Sequence, residues 1–194
     1  MSRATAAFHI GARGTTIRRQ MEPNQLARFE AATLPHLDAA YTLARYLLGN
    51  DDDANDALQE SFLRALKYFD GYRGGDARAW LLAIVRNTSR SWLRRERGDT
   101  PTVEFDEELH SGAVEEEHPE AQLLRAADRE RVRQALDQLP LEFREVIVLR
   151  ELQGLSYQEI GEICKVPAGT VMSRLSRARK RLEQALGGGK RGRT

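Results

Sequence analysis

Residues 155–182 read LSYQEIGEICKVPAGTVMSRLSRARKRL, and the rest of the chain is best read outward from this stretch. Ser156 and Glu159 have the S-x-x-E spacing in which a hydroxyl and a carboxylate satisfy free amides at a helix start. Ile160 and Ile163 then form the apolar face of a short helix. Gly161 places a small residue where a crossing helix must approach closely. Lys165-Val166-Pro167 supplies a turn, with Val166 directed inward. A second helix begins near Ala168, with Val171 and Leu175 one turn apart on its inner side. Ser173, Arg174, Ser176, Arg177, Arg179, Lys180 and Arg181 occupy its other sides. Capping box, small residue, turn and basic helix, in that order, make a helix-turn-helix pattern. A helix that enters the major groove needs hydrogen-bond donors at its leading end and cations for the flanking phosphates. The competing reading is an ordinary helical hairpin with a solvated basic face.

Upstream, Phe143, Val146, Ile147 and Leu149 belong to a short helix that ends at Gln153-Gly154. Pro140 breaks the helix before it, which runs from Glu120 to Leu139. Its apolar side is Leu123, Leu124, Ala127, Val132, Leu136 and Leu139. From Gly98 to Pro119 there is little periodicity, so this reads as a flexible, solvated linker.

Ahead of the linker, helical periodicity runs from Asn24 through Leu26, Phe29, Leu34, Leu37, Tyr41, Ala44 and Leu48, and stops at Gly49. Asp51-Asp52-Asp53 supplies a cap and acids for the positive end of a second helix, with Leu58, Phe62, Ala65, Leu66 and Phe69 inward. Asp70 to Asp76 is a loop. A third helix carries Trp80, Ile84, Thr88 and Trp92 on one side, and Arg86, Arg90, Arg94 and Arg95 elsewhere. No segment alternates strictly enough to be a strand. The expected fold is therefore all-α: two small helical domains on a flexible acidic linker, the second with a helix-turn-helix. The expected boundaries are an extension at 1–24, domains at 25–97 and 120–187, the linker at 98–119 and a basic tail at 188–194. Met21-Glu22-Pro23 would itself serve as a start, so residues 1–20 need not be translated.

Thirty Lys/Arg against twenty-nine Asp/Glu give a net charge of +1 over 194 residues, but the charge is sorted into blocks. Arg73 to Arg97 holds seven Arg against Asp76 and Glu96. Asp99 to Glu120 holds nine acids and no Lys or Arg, and Thr170 to Thr194 holds eight Lys/Arg against one Glu. Separate blocks suit separate partners. No apolar run approaches the ~20 residues of a membrane span, and no secretory h-region is present, so membrane insertion is not expected. One cysteine, Cys164, makes neither an internal disulfide nor a four-ligand zinc site and reads as a buried thiol. A cytoplasmic setting follows.

Enzyme chemistry finds no support in the residues. The adjacent acids Asp51 to Asp53 point in different directions and are poor joint metal ligands. His110 and His118 have no partnered motif, and Gly187-Gly188-Gly189-Lys190 lacks phosphate-loop spacing. No catalytic residue, metal, cofactor or small-molecule substrate is expected.

The segment Leu139 to Arg150, followed by Gly154-Leu155-Ser156-Tyr157-Gln158-Glu159-Ile160 and Gly169-Thr170-Val171, resembles the C-terminal domain of an extracytoplasmic-function (group 4) sigma factor of the sigma-70 family. The first lobe matches independently. Asp56 to Ala65 resembles the family's polymerase-binding helix, while Tyr72-Arg73-Gly74, Ala79-Trp80-Leu81 and Ile84-Val85-Arg86-Asn87-Thr88 resemble its −10-reading element. The likeness covers about residues 25 to 186, in the family's order.

The resemblance implies a dissociable initiation subunit that brings core RNA polymerase to specific promoters, reads −35 and −10 elements and nucleates melting without ATP. Asp56, Gln59 and Glu60 would dock on the polymerase clamp helices, with the second domain at the flap. Tyr72 and Arg73 would shape −10 specificity, Asn87 would line the pocket for a flipped base, and Arg86, Arg90 and Arg94 would contact phosphates. Trp80 is read as core, and Trp92 as core or a stacking surface. At −35, Met172, Ser173, Arg174, Ser176, Arg177 and Arg179 would face DNA, supported by Arg150. The family often has arginine where this chain has Met172, which cannot donate to a guanine edge, so Arg177 leads. The expected partners are core polymerase, promoter DNA and an anti-sigma factor that covers both docking surfaces. The alternative is a two-domain helix-turn-helix regulator that binds DNA alone.

Overall fold

The computed structural model describes residues 23–96 and 130–187. The expectations for the N-terminal extension, the acidic linker, Leu123, Leu124, Ala127 and the basic tail lie outside the described residues.

Among the described residues, the first lobe has four helices: α1 (Pro23–Thr33), α2 (Leu37–Leu48), α3 (Asp51–Tyr68) and α4 (Ala77–Glu96). The continuous apolar period from Asn24 to Leu48 is not one helix. Leu34–His36 form a 3-10 turn between α1 and α2. Pro35 has no N–H for the α ladder, and its ring crowds the preceding turn. Gly49 does end α2, at φ +86, with its N–H donating to the Arg45 carbonyl at 3.0 Å. The cap of α3 is Asn50 rather than an aspartate. Its Oδ1 accepts from the Asp53 amide at 2.8 Å, and the three aspartates fill the first turn. Asp51 has a second tie, because the Tyr41 hydroxyl donates to it at 2.7 Å and Arg45 pairs with it. Burial and that carboxylate push the Tyr41 phenol up to about 12.

Phe29, Leu43, Leu47, Leu58, Phe62, Leu66, Phe69, Leu81, Leu82 and Val85 fill this lobe. The buried stripe of α4 differs from the expected Trp80–Ile84–Thr88 line. Leu81, Leu82, Val85, Thr88 and Ser89 are buried, whereas Trp80 and Ile84 are half-buried. The stripe is wide because α4 is covered twice, by α2 and α3 on one side and by the second lobe on another.

The second lobe comprises α5 (130–137), α6 (Leu141–Ile147), α7 (Tyr157–Cys164) and α8 (Ala168–Gly187). Leu136 and Leu139 are buried as expected, but Val132 is 40% exposed. It lies on the Leu136 face, one turn nearer the start of α5. After α6 the chain widens into a π turn at Val148–Leu152 and ends at Gly154, which has φ +67. Leu136, Leu139, Phe143, Val146, Leu149, Leu155, Ile160, Ile163, Val171 and Leu175 form the core, continuous with that of the first lobe. The lobes meet where α4 touches α7 and where α2 touches α6.

The capping box forms as expected. Ser156 Oγ accepts from the Glu159 amide at 3.3 Å, and Glu159 Oε2 accepts from the Ser156 amide at 2.7 Å. Lys165 ends α7 in the left-handed region, at φ 55. Gly161 is a tight point, although its neighbour is the turn and not a crossing helix. A Cβ there would lie 2.8 Å from the Val166 carbonyl oxygen. That oxygen belongs to the backbone and cannot swing away. Gly161→Ala is therefore expected to lower the denaturant midpoint of the second lobe, by about 1–3 kcal/mol of overpacking. An unchanged midpoint would show that the turn relaxes freely.

Candidate nucleic-acid interface

The α8 helix separates its residues sharply. Val171, Leu175 and Ala178 are buried, while Met172, Ser173, Ser176, Arg177, Arg179, Lys180 and Arg181 are exposed. Met172, Ser173, Ser176 and Arg177 lie on one face near the leading end, because residues three and four apart are helical neighbours. Ser173 Oγ donates to the Thr170 carbonyl at 2.9 Å. Arg177 makes no ion pair with any described residue. Met172 is 55% exposed, which is unusual for so large an apolar side chain.

Other expected contacts are already engaged. Arg179 pairs with Glu151 at 2.6 Å, an exposed pair worth about 0–1 kcal/mol that nucleic acid can displace. Arg174 is half-buried, and Arg181 lies over the Phe143 ring. Arg150 donates to the Leu155 carbonyl at 2.7 Å and lies over the Tyr157 ring. It braces the entry to the motif. Cys164 is buried, and burial together with the Glu145 charge pushes its thiol up to about 11, consistent with a structural role.

In the first lobe, Asp76 Oδ1 accepts from the amides of Arg78 and Ala79 at 2.9 and 3.1 Å and so caps α4. The loop before it is pinned by Tyr72. That ring packs on Phe69 and Trp80, and its hydroxyl donates to the Gly75 carbonyl at 2.7 Å. Tyr72 thus anchors the loop, which leaves Arg73 exposed at its tip. Asn87 and Arg94 are exposed on α4. Arg86 is not: it is 7% exposed, and its Nη2 donates to Glu145 Oε2 of the second lobe at 3.0 Å. Arg90 Nη1 donates to Glu145 Oε1 at 2.7 Å. In this arrangement Arg86 is withdrawn from solvent, whereas the Arg90 side chain stays 38% exposed.

On α3, Asp56 and Gln59 are exposed together. Burial, with Asp53 and Asp52 nearby, raises the Asp56 carboxyl above its ordinary value. Glu60 is held within the lobe by Arg64, by Trp92 Nε1 at 2.7 Å and by Arg95 at 3.1 Å. Burial alone would raise its pKa, but those bonds and charges outweigh it and hold the carboxyl below its usual range. Trp92 thus serves as a donor to Glu60.

The contacts between lobes were not anticipated from the sequence. Besides Glu145, Arg78 reaches the Gln153 carbonyl and Oε1 at 2.6 and 2.8 Å. Arg144 reaches the Tyr46 and Leu47 carbonyls, and Arg133 the Gly49 carbonyl. The one available signal was an acid, Glu145, set beside Phe143, Val146 and Ile147 on a short apolar helix.

Residues 34–98 match the family model described as "Sigma-70 region 2", and residues 129–182 that described as "Sigma-70, region 4". The chain is 36% identical over 177 residues to the ECF RNA polymerase sigma factor SigE of Mycolicibacterium smegmatis, covering 85% of this chain and 68% of that one. It is 36% identical over 154 residues to the ECF RNA polymerase sigma-E factor of Escherichia coli K12, covering 76% and 80%. Its structure is similar to that of the sigma factor RpoE solved with the anti-sigma factor NepR from Bartonella quintana. The TM-score is 0.64 and the identity 31%, over 86% of this chain and 99% of that one. It also shares the fold of CnrH, solved with the cytosolic domain of CnrY, at a TM-score of 0.59 and 22% identity over 90% and 94% of the two chains.

A helical lobe followed by a helix-turn-helix lobe, each matching its own sigma-70 region, is the architecture of a transcription initiation factor. The chain belongs to the extracytoplasmic-function (ECF) family of RNA polymerase sigma factors. It is an alternative sigma factor directing RNA polymerase, and the stand-alone regulator is not favoured.

Proposed function

We propose that this chain binds core polymerase through the exposed Asp56–Gln59 surface of α3, with Glu60 as a buttress to that surface. The second lobe reads the −35 element with the leading face of α8, and the first lobe reads and opens the −10 element with the 72–76 loop and α4. The observation that carries this reading is the division of α8 between a buried Val171–Leu175–Ala178 edge and an exposed Met172–Ser173–Ser176–Arg177 face. Such a face supplies donors and a cation for base edges and phosphates. Met172 suits apolar contact with a thymine methyl rather than a guanine edge. Arg73 and Arg94 take phosphates, as do Arg86 and Arg90 once the lobes part. The site residues require no catalytic group, metal or cofactor. No described helix is long and apolar enough to cross a membrane, and the reading places the protein in the cytoplasm. Its partners are core polymerase, promoter DNA and an anti-sigma protein.

Reconstitution tests the reading. Purified chain plus core polymerase is expected to start transcripts at a promoter mapped after overproduction of the factor, and failure there would reject it. In the same assay Asn87→Ala is expected to weaken open-complex formation more than duplex binding. The reason is that unstacking a base costs a few kcal/mol, which pocket contacts must offset. Equal losses in the two measurements would remove Asn87 from the pocket.

A further inference from the structure

Five large apolar side chains are exposed among the described residues: Leu34, Tyr68, Val132, Leu152 and Met172. Met172 alone stands on a helix dominated by cations, since α8 carries Arg174, Arg177, Arg179, Lys180 and Arg181 against Glu183. It is the fifth residue of that helix and is 55% exposed. Its neighbours one turn away on the surface are small, with Ala168 and Gly169 before it and Ser176 after it. A Cβ added at Gly169 would meet nothing within 4 Å. The thioether therefore stands clear of the helix surface on that side.

The exposed face of α8 has two edges of different chemistry. Met172 and Arg177 are five residues apart, which sets them about 140° apart around the axis and about 7.5 Å apart along it. Arg177 makes no ion pair with any described residue, so its edge presents a charge. On the Met172 edge, two turns along, Arg179 is paired with Glu151 at 2.6 Å. That edge presents an apolar group whose neighbouring cation is already answered within the fold.

We propose that Met172 is a specificity-determining residue: it selects one thymine in the −35 element by packing on that base's C5-methyl group, at a base pair other than the one Arg177 meets. The inference rests on the reading of α8 as the −35-reading helix. In the major groove the thymine methyl is the apolar group that a base pair displays, whereas the other bases offer donors and acceptors there. A thioether cannot donate and accepts only weakly, so it leaves those polar edges unanswered. Its unbranched, polarizable chain does fill an irregular apolar contact. For a helix lying along the groove, an offset of about 7.5 Å spans about two base-pair steps of about 3.4 Å. Met172 and Arg177 therefore meet different base pairs.

The test uses the polymerase–factor complex and duplexes of its mapped promoter. Each thymine of the −35 element, on either strand, is replaced in turn by uracil, which lacks only the C5-methyl. At one position uracil is expected to weaken binding about fourfold, the effect of removing one buried methyl group. At that position 5-methylcytosine should bind better than cytosine by a similar factor, because its methyl occupies the same place in the groove. Met172→Ala should erase both effects and leave the thermal melt unchanged, since the side chain is exposed. Arg177→Ala should leave the uracil effect intact, and its loss there would overturn the separation of the two base pairs. A scan in which no position responds to uracil, or a uracil effect that persists in Met172→Ala, would overturn the methyl contact. Arg177→Ala and a scrambled −35 element test the underlying reading apart. If both weaken binding while uracil does nothing, the −35 reading stands without Met172; if neither weakens it, the reading itself falls.

Discussion

Alanine in place of Leu175 is expected to destabilise the second lobe by about 2–5 kcal/mol, through lost transfer energy and the cavity left behind. Leu175 is 1% exposed and sits at the centre of the buried edge of α8, between Val171 and Ala178. It joins α8 to α6 and α7, the two helices against which α8 packs. Small domains have about 5–15 kcal/mol of stability to lose, so a change of this size approaches the whole margin. Circular dichroism should show the helix signal of the second lobe melting early, with the α2–α3–α4 core melting later. Binding to a −35 duplex should fall with the folded fraction and return on cooling. A variant that melts with the wild type would show that α8 is held by something other than its inner edge.

The contrast with Ser176, next in the chain and fully on the outer face, explains why this part of the fold was legible. A capping box, a turn and a buried edge at helical spacing are local features, and local rules place Ser156, Glu159, Val171 and Leu175 correctly. Gly49 and Gly154 were legible for the same reason, since each ends a turn with a positive φ that glycine accepts without strain. The break at Pro35 does not show in the apolar period, because that spacing continues through Leu34 and Leu37 whether or not the backbone ladder does. Charge alone points to the three neighbouring aspartates as the cap of α3, but they stand one position too late and Asn50 fills it.

What the sequence does not show is non-local. Arg86 and Arg90 show the same pattern whether they face water, a phosphate or a carboxylate brought from the other lobe. Only the meeting of the two lobes brings Glu145 of α6 to α4, 59 residues along the chain from Arg86. For the same reason the sequence does not show that Arg150 donates to the Leu155 carbonyl or that Arg179 pairs with Glu151. Arginine spacing alone therefore does not say which guanidiniums already have a partner within the fold. On the leading face of α8, Met172, Ser173, Ser176 and Arg177 are exposed.

Its exposure on that face makes Arg177 the sharpest test of −35 reading. Arg177→Ala is expected to weaken binding of the polymerase–factor complex to its promoter by about 1–3 kcal/mol, roughly 5- to 150-fold. The form of the loss separates two roles. A guanidinium bidentate to a guanine edge discriminates among bases, so its removal should relax selectivity at one −35 position while the other positions keep theirs. A guanidinium on a phosphate carries no such information. Its removal should weaken all sequences alike and reduce the slope of log affinity against log salt by about one. Arg179→Ala is the matched control, because its charge already faces Glu151 and an exposed pair contributes at most about 1 kcal/mol. If Arg177→Ala and Arg179→Ala weaken binding equally, α8 acts as a basic rod, and sequence is read elsewhere. If Arg177→Ala changes neither selectivity nor salt slope, the leading face of α8 does not meet DNA, and the −35 assignment fails with it.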